Sequence, residues 1–281
     1  MTVAVVLDDF DARPGSTTSL LRTVLGGAVR EIGGRITSNA LVALMADLGV
    51  PADRTRTAVS RLKAKGVLAA DARDGVRGYA ITSDAAAMFA RGDRRIFQPR
   101  QMADGDRWCL VSFTLPERER EVRHQLRRRL GWIGAGTVAG GLWICPAYLL
   151  DEVEQIVADL GLTGRVTIFV ADTVRGVHDL AAAVAQWWDL GAIGVLHEAF
   201  LASHAKAIAA YRDDPQPATA FRTWITALDA WRPIPYLDPG LAPSVLPPDW
   251  PGRRSVPLFL AFRDELTAPA ADFVRRTVGQ R

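Results

Sequence analysis

Residues 38–82 constrain the fold most, because two short helical patterns meet there at a glycine turn and run directly into a hairpin signal. Leu41, Leu44, Met45 and Leu48 fall on one helical face, Ser38 stands where an N-cap is wanted, and Gly49-Val50-Pro51 closes the segment. A second helix follows at once, with Thr55, Ala58, Val59 and Leu62 as its inward stripe and Gly66 as its end. Two short helices joined by a glycine-containing turn are the sequence form of a helix-turn-helix. Residues 67–70 are then a β-prone run, Asp74-Gly75 is a hairpin signal flanked by Arg73 and Arg77, and 79–82 is the returning strand. Such a hairpin makes a wing, so the pattern predicts a winged helix-turn-helix.

Fixing the stripe of the second of these helices inward fixes the rest of its wheel. Thr57, Ser60 and Ala64 point directly away, with Arg56 and Arg61 beside them. Small residues on the ridge let a helix approach base edges closely, where Arg reaches guanine O6 and N7 in bidentate fashion and Thr or Ser bonds several bases. Arg54, Lys63, Lys65 and the wing residues Arg73 and Arg77 fall to the sides, where phosphates or a minor groove would lie. A bland reading exists, a solvated basic face on an ordinary helical hairpin. The wing with its own arginines at the right distance favours double-stranded DNA as the partner.

Around this unit the pattern predicts an α+β multidomain chain. Residues 1–18 read as a flexible tail, and Leu20, Leu21, Val24, Leu25 and Ala28 repeat at helical spacing until Gly33-Gly34. Ser83 is placed to cap a helix through Ile96, closing a first domain over 19–100. From 101 to 175 strand and helix alternate: a buried-type strand over 108–115, a charged helix over 117–130, strands over 134–138 and 142–145, a helix over 149–160 and a strand over 165–170. The order βαββαβ specifies a ferredoxin-like sandwich. Residues 176–281 turn helical, with a proline-rich passage over 232–252.

The balance of the sequence mostly excludes. A net charge of +3 and a pI of about 9.1 are only mildly basic, but five cations stand against one anion over residues 53–65. A second concentration, Arg123, Arg127, Arg128 and Arg129, lies on the predicted helix over 117–130, suited to the phosphates of DNA or of a phosphorylated ligand, with Glu117, Glu119 and Glu121 available for intrahelical pairing. Cys109 and Cys145 sit in apolar β-rich runs without metal-type spacing and read as buried thiols in a reducing compartment. The acidic start, with Asp8, Asp9 and Asp11, is unlike a secretory signal, so the expected location is the cytoplasm. The apolar run 180–196 is interrupted by Gln186 and Asp189 and reads as one buried or interfacial helix rather than a membrane span. His197 and His204 share a helix face, but their spacing is not that of a zincin pair and further ligands are lacking; Trp187, Trp188, Trp224 and Trp231 suit core or dimer packing. No nucleophile elbow, phosphate loop or dinucleotide fingerprint occurs, so no catalytic residue, metal or cofactor is expected.

Several segments together resemble the PaaX-type repressors of phenylacetate catabolism. They are Ser19-Leu20-Leu21 with Leu25-Gly26, the run RTRTAVSRL from Arg54 with Gly66-Val67-Leu68 after it, Arg107-Trp108, Gly141-Leu142-Trp143-Ile144, and Leu246-Pro247-Pro248-Asp249-Trp250-Pro251-Gly252. The resemblance runs from about residue 19 to 274. It implies an N-terminal winged helix, a central ferredoxin-like domain similar to the small CRISPR-adaptation nuclease, and a helical C-terminal domain. It also implies a homodimeric repressor released from its operator by an acyl-CoA such as phenylacetyl-CoA, whose phosphates would be drawn to Arg127, Arg128 and Arg129. The nuclease fold places a metal-binding Asp at the end of its first strand, whereas here that stretch reads CLVSFTLP. A metal-dependent nucleic-acid-processing enzyme is therefore the weaker alternative, beside a regulator of the same fold that senses a different ligand.

Overall fold

The computed structural model describes residues 13–73 and 75–279. The tail expected over 1–18 falls outside the described residues up to 12, and its end is already ordered by a cap: Ser16 Oγ accepts from the amide of Ser19, opening helix α1 (Thr17–Val24). The helix then widens into a π turn over Leu25–Val29 and tightens through Arg30–Ile32 to Gly33, at φ 96°. The π turn coincides with Gly26 and Gly27, where an added Cβ would stand 3.0 Å from Phe89 and 2.7 Å from Leu228. Backbone without side chains is what lets both neighbours in.

Strand β1 (Arg35–Thr37) comes next, then α2 (Ser38–Asp47) and α3 (Ala52–Ala64). Thr37, not Ser38, caps α2, its Oγ1 accepting from Ala40 N at 3.2 Å. The reason is that Thr37 ends β1 in extended backbone, which is the conformation a cap requires. Leu41, Leu44 and Met45 of α2 are buried, and the buried residues of α3 are Thr55, Ala58, Val59 and Leu62. Strands β2 (Leu68–Arg73) and β3 (Val76–Ile81) pair antiparallel in a register that sets Arg73 opposite Val76. Gly75, at φ 78°, forms part of the tight connection; Asp74, the other half of the hairpin signal, is outside the described residues. The sheet order is β1-β3-β2, so the hairpin is anchored on its inner side by β1, a strand of three residues that periodicity did not reveal. Gly78 keeps β1 and β3 close, since a Cβ there would meet Ile36 O at 2.7 Å. Thr82, one residue before Ser83, caps α4 (Ser83–Phe97).

The next stretch runs strand, helix, strand, strand, helix, strand: β4 (Trp108–Phe113), α5 (Arg120–Trp132), β5 (Gly136–Ala139), β6 (Leu142–Pro146), α6 (Leu150–Asp159) and β7 (Val166–Ala171). All neighbours are antiparallel, in the order β5-β6-β4-β7. Alternation divides each strand between two cores. Cys109, Val111 and Trp143 pack with Leu126, Leu130, Val153 and Val157 of the two helices, while Trp108 and Ile144 pack on the other side with Val184, Trp188 and Trp250. Cys109 and Cys145 lie opposite each other in register, buried and reduced.

The apolar run 180–196 is two helices rather than one, α7 (Leu180–Trp187) and α8 (Leu190–His204). The break turns Trp188 inward, where its indole N–H donates to Gly134 O at 2.8 Å and its ring lies against Gly136; Asp189 then caps the start of α8 by accepting from Ala192 N at 2.9 Å. Helices α9 (Ala207–Asp213), α10 (Pro217–Trp231), α11 (Ile234–Leu237) and α12 (Gly252–Gly279) complete the chain, and no described helix is long and apolar enough to cross a membrane.

Two compact units result, each built from separated segments: Met1–Gln98 with Ala199–Arg232 and Arg254–Arg281, and Pro99–Glu198 with Pro233–Arg253. The stretch 176–281, expected as one helical domain, is thus shared between them. In the first unit, Trp231 Nε1 donates to Ile96 O at 3.0 Å and its ring stacks on Phe259 at 4.5 Å. In the second, Tyr148 donates to the carbonyl of Pro239, and His197 Nε2 lies 2.9 Å from Asp238 Oδ2. These long-range contacts, invisible to local periodicity, decide which helix belongs where.

Candidate nucleic-acid interface

Helix α3 leans on α1 and α2 through its buried stripe, and its remaining surface is open. Arg54, Arg56, Thr57, Ser60, Arg61, Lys63 and Lys65 are all exposed, as are Arg73 and Arg77 of the hairpin. Each short hydroxyl bonds back to the helix: Thr57 Oγ1 donates to Asp53 O at 3.0 Å and Ser60 Oγ to Arg56 O at 3.1 Å. With its proton used internally, each oxygen keeps lone pairs for an incoming amino donor such as adenine N6 or cytosine N4.

Charge on the hairpin is organised by one carboxylate. Asp71 of β2 is paired with Arg35 and lies 3.3 Å from Nε of Arg73, whose side chain is 66% exposed. Asp71 therefore steadies the base of the hairpin without removing Arg73 from solvent. Over residues 53–77 seven cations face three anions, a local excess that the whole-chain charge of +3 conceals. Val76, 50% exposed at the hairpin end, is an apolar side chain there that charge-based reading missed.

The four candidate arginines, Arg123, Arg127, Arg128 and Arg129, are not gathered on one open face of α5. Arg123 is held by Glu117 at 2.6 Å and by the Leu115 carbonyl at 3.2 Å. Arg127 donates to the Gly140 carbonyl, and Arg128 is exposed with its guanidinium 4.5 Å from the Trp132 ring centre. Arg129 turns inward, 7% exposed, 4.0 Å from Asp159, its Nε without a hydrogen-bond partner among the described residues. Burial pushes its guanidinium down from the usual value, against the pull of Asp159.

The two candidate histidines have separate surroundings. His197 is fully buried, bonded to Asp238 and edge-on to Trp250 at 5.6 Å. His204 stacks on Phe200 at 4.9 Å, Nδ1 donates to the Phe200 carbonyl at 3.2 Å, and burial lowers its pKa from 6.5. Among the described residues no group of three or more His, Cys, Asp or Glu side chains is placed to hold a metal ion.

Three family models match consecutive parts of the chain: the PaaX-like protein over residues 16–85, the PaaX protein central Cas2-like domain over 101–184, and the PaaX-like protein C-terminal domain over 188–276. The transcriptional repressor PaaX of Escherichia coli strain K12 is 26% identical over 271 residues, 94% of this chain and 84% of that repressor. Among solved structures, an uncharacterized protein from Mycobacterium tuberculosis is similar with a TM-score of 0.54 and 25% identity, over 90% of this chain and 97% of that one.

Proposed function

The chain belongs to the PaaX family, and we propose from this that it is a sequence-specific DNA-binding transcriptional repressor that acts as a homodimer. The observation that carries the reading is α3: a helix whose inner stripe is fully used in packing and whose outer face offers Arg56, Thr57, Ser60 and Arg61 together. In this reading α2, α3 and the β2–β3 hairpin are a winged helix-turn-helix, with α3 in the major groove and Arg73 and Arg77 against phosphates or the minor groove. The β4–β7 unit, with its order β5-β6-β4-β7 and two helices, is its ferredoxin-like domain.

One winged helix reads one half-site, so tight operator binding calls for two copies. The signal we propose is an acyl-CoA such as phenylacetyl-CoA, its phosphates drawn to exposed cations of α5, Arg128 first, and its acyl group to an apolar site. The Cas2-like description invites a nuclease reading, but β4 carries no carboxylate to offer Mg²⁺.

Selection from a random duplex library tests the proposal. The expected product is an inverted repeat whose half-sites lie about one helical turn apart. Recovery of duplexes with no shared sequence would contradict it.

A further inference from the structure

The strand order leaves β5 and β7 as the edges of the second sheet, and the two edges are made differently. Strand β5 is short, and its register is broken between Thr137 and Ala139. A bulge of this kind blunts an edge against further pairing. Strand β7 pairs all six residues, Val166–Ala171, with β4 in an unbroken register. Its sequence, VTIFVA, contains no Lys, Pro or Gly. On the side away from β4, alternate residues present their N–H and C=O groups outward.

This unguarded edge is also apolar. Phe169 and Val170 are 54% and 42% exposed, two of the few large hydrophobics in that state among the described residues. Val166 and Ile168 pack toward the helices, and Phe169, offset by one, belongs to the opposite face. The edge therefore carries exposed apolar side chains on both faces of the sheet. Left open, such a strand is an aggregation site.

We infer that the outer edge of β7 is where a second copy of this chain docks, strand against strand and antiparallel, with the two-fold axis at Phe169. The inference rests on the homodimer reading above and assigns its surface. The choice of occupant comes from charge: Arg165 stands immediately before β7 and the exposed Asp172 immediately after it. An antiparallel copy sets the basic end of each strand beside the acidic end of its partner, whereas a parallel copy would set like ends together. Glu119 holds Arg165 in place while its side chain stays 44% exposed, leaving guanidinium donors to share. An axis perpendicular to the sheet pairs residues of the same facing, so Phe169 meets the partner's Phe169, and Ile168 meets the partner's Val170. Closure by a two-fold also removes the edge, because the pairing cannot propagate.

Light scattering and cross-linking on the full chain test this at micromolar concentration. Wild type is expected at twice its 30.5 kDa. Phe169→Lys should raise the dimer dissociation constant at least about tenfold, with an unchanged circular dichroism spectrum since the side chain is exposed. Val195→Lys, at the 67% exposed position on α8, should not. Phe169→Cys should form a reducible cross-linked dimer with copper phenanthroline as oxidant. A wild-type dimer that survives Phe169→Lys and gives no cross-link through Phe169→Cys would overturn the assigned surface while leaving the homodimer standing. A wild-type monomer would instead overturn the homodimer itself, and this inference with it.

Discussion

Ser19 Oγ donates to Oδ1 of Asp229 at 2.6 Å, although 210 residues separate the two in sequence. The same carboxylate accepts from Thr23 Oγ1 at 2.7 Å and, through Oδ2, from the amide of Gly15 at 2.7 Å, with Arg232 at 3.3 Å. Asp229 is 1% exposed, so α10 holds the first two turns of α1 by one buried, fully bonded charge. Because α1 in turn supports α3, this anchor reaches the proposed reading helix.

Asp229→Ala should therefore be costly. It removes the acceptor shared by the Ser19 and Thr23 hydroxyls, the Gly15 amide and the Arg232 guanidinium, and removing one partner of a buried pair typically costs about 3–5 kcal/mol. Arg222→Ala, on the exposed side of the same helix, should stay within about 0.5 kcal/mol. Urea unfolding of both variants checks the difference; equal midpoints would show that the network contributes little.

His204 should make stability depend on pH. Burial lowers its folded pKa, against weaker opposition from the Phe200 and Thr226 carbonyls, so the unfolded chain binds the proton more readily. Protons are then taken up on unfolding in the window below 6.5, and stability falls as pH drops through that window toward the folded value. Thermal midpoints of wild type and His204→Gln between pH 8 and 5.5 test this. The wild-type curve should decline more steeply below 6.5, and parallel curves would remove His204 as the cause.

Phenylacetyl-CoA should weaken operator binding, while free phenylacetate, which lacks the phosphates, should do much less. Arg127→Ala combined with Arg128→Ala should raise the half-effective concentration at least about tenfold, whereas operator affinity without ligand should hold. Arg129 is a poor choice for this test because it is buried beside Asp159. A gel shift unmoved by millimolar phenylacetyl-CoA would point to another effector class.

Much of this structure is readable in sequence where spacing is local. The stripe Thr55, Ala58, Val59 and Leu62 needs only helical periodicity, and the β2–β3 hairpin needs only its turn residues. Strand β1 escaped because three residues are too few for alternation to register, and with it went the true cap, Thr37. The break at Trp188 and Asp189 was hidden by uniform hydropathy, since the bond from Trp188 to Gly134 is made 54 residues away. The same holds for Asp229, an ordinary acidic residue on an amphipathic helix until α1 is set against it. Among the α5 arginines the sequence shows charge but not direction: Arg129 turns inward, 4.0 Å from Asp159 of α6, while Arg128 stays exposed.

The central claim is that α3 separates base readers from phosphate contacts. Arg56→Ala or Arg61→Ala should cost about 1–3 kcal/mol on the operator and flatten discrimination at one base position, whereas Lys63→Ala should weaken operator and scrambled duplex about equally and reduce the salt slope by about one. Fluorescence anisotropy on both duplexes at two salt concentrations, with Arg56, Thr57, Ser60 and Arg61 all replaced by Ala, is the most direct measurement. The expected result is that the ratio of specific to non-specific affinity collapses toward one; a ratio unchanged from wild type would contradict α3 as the reading helix.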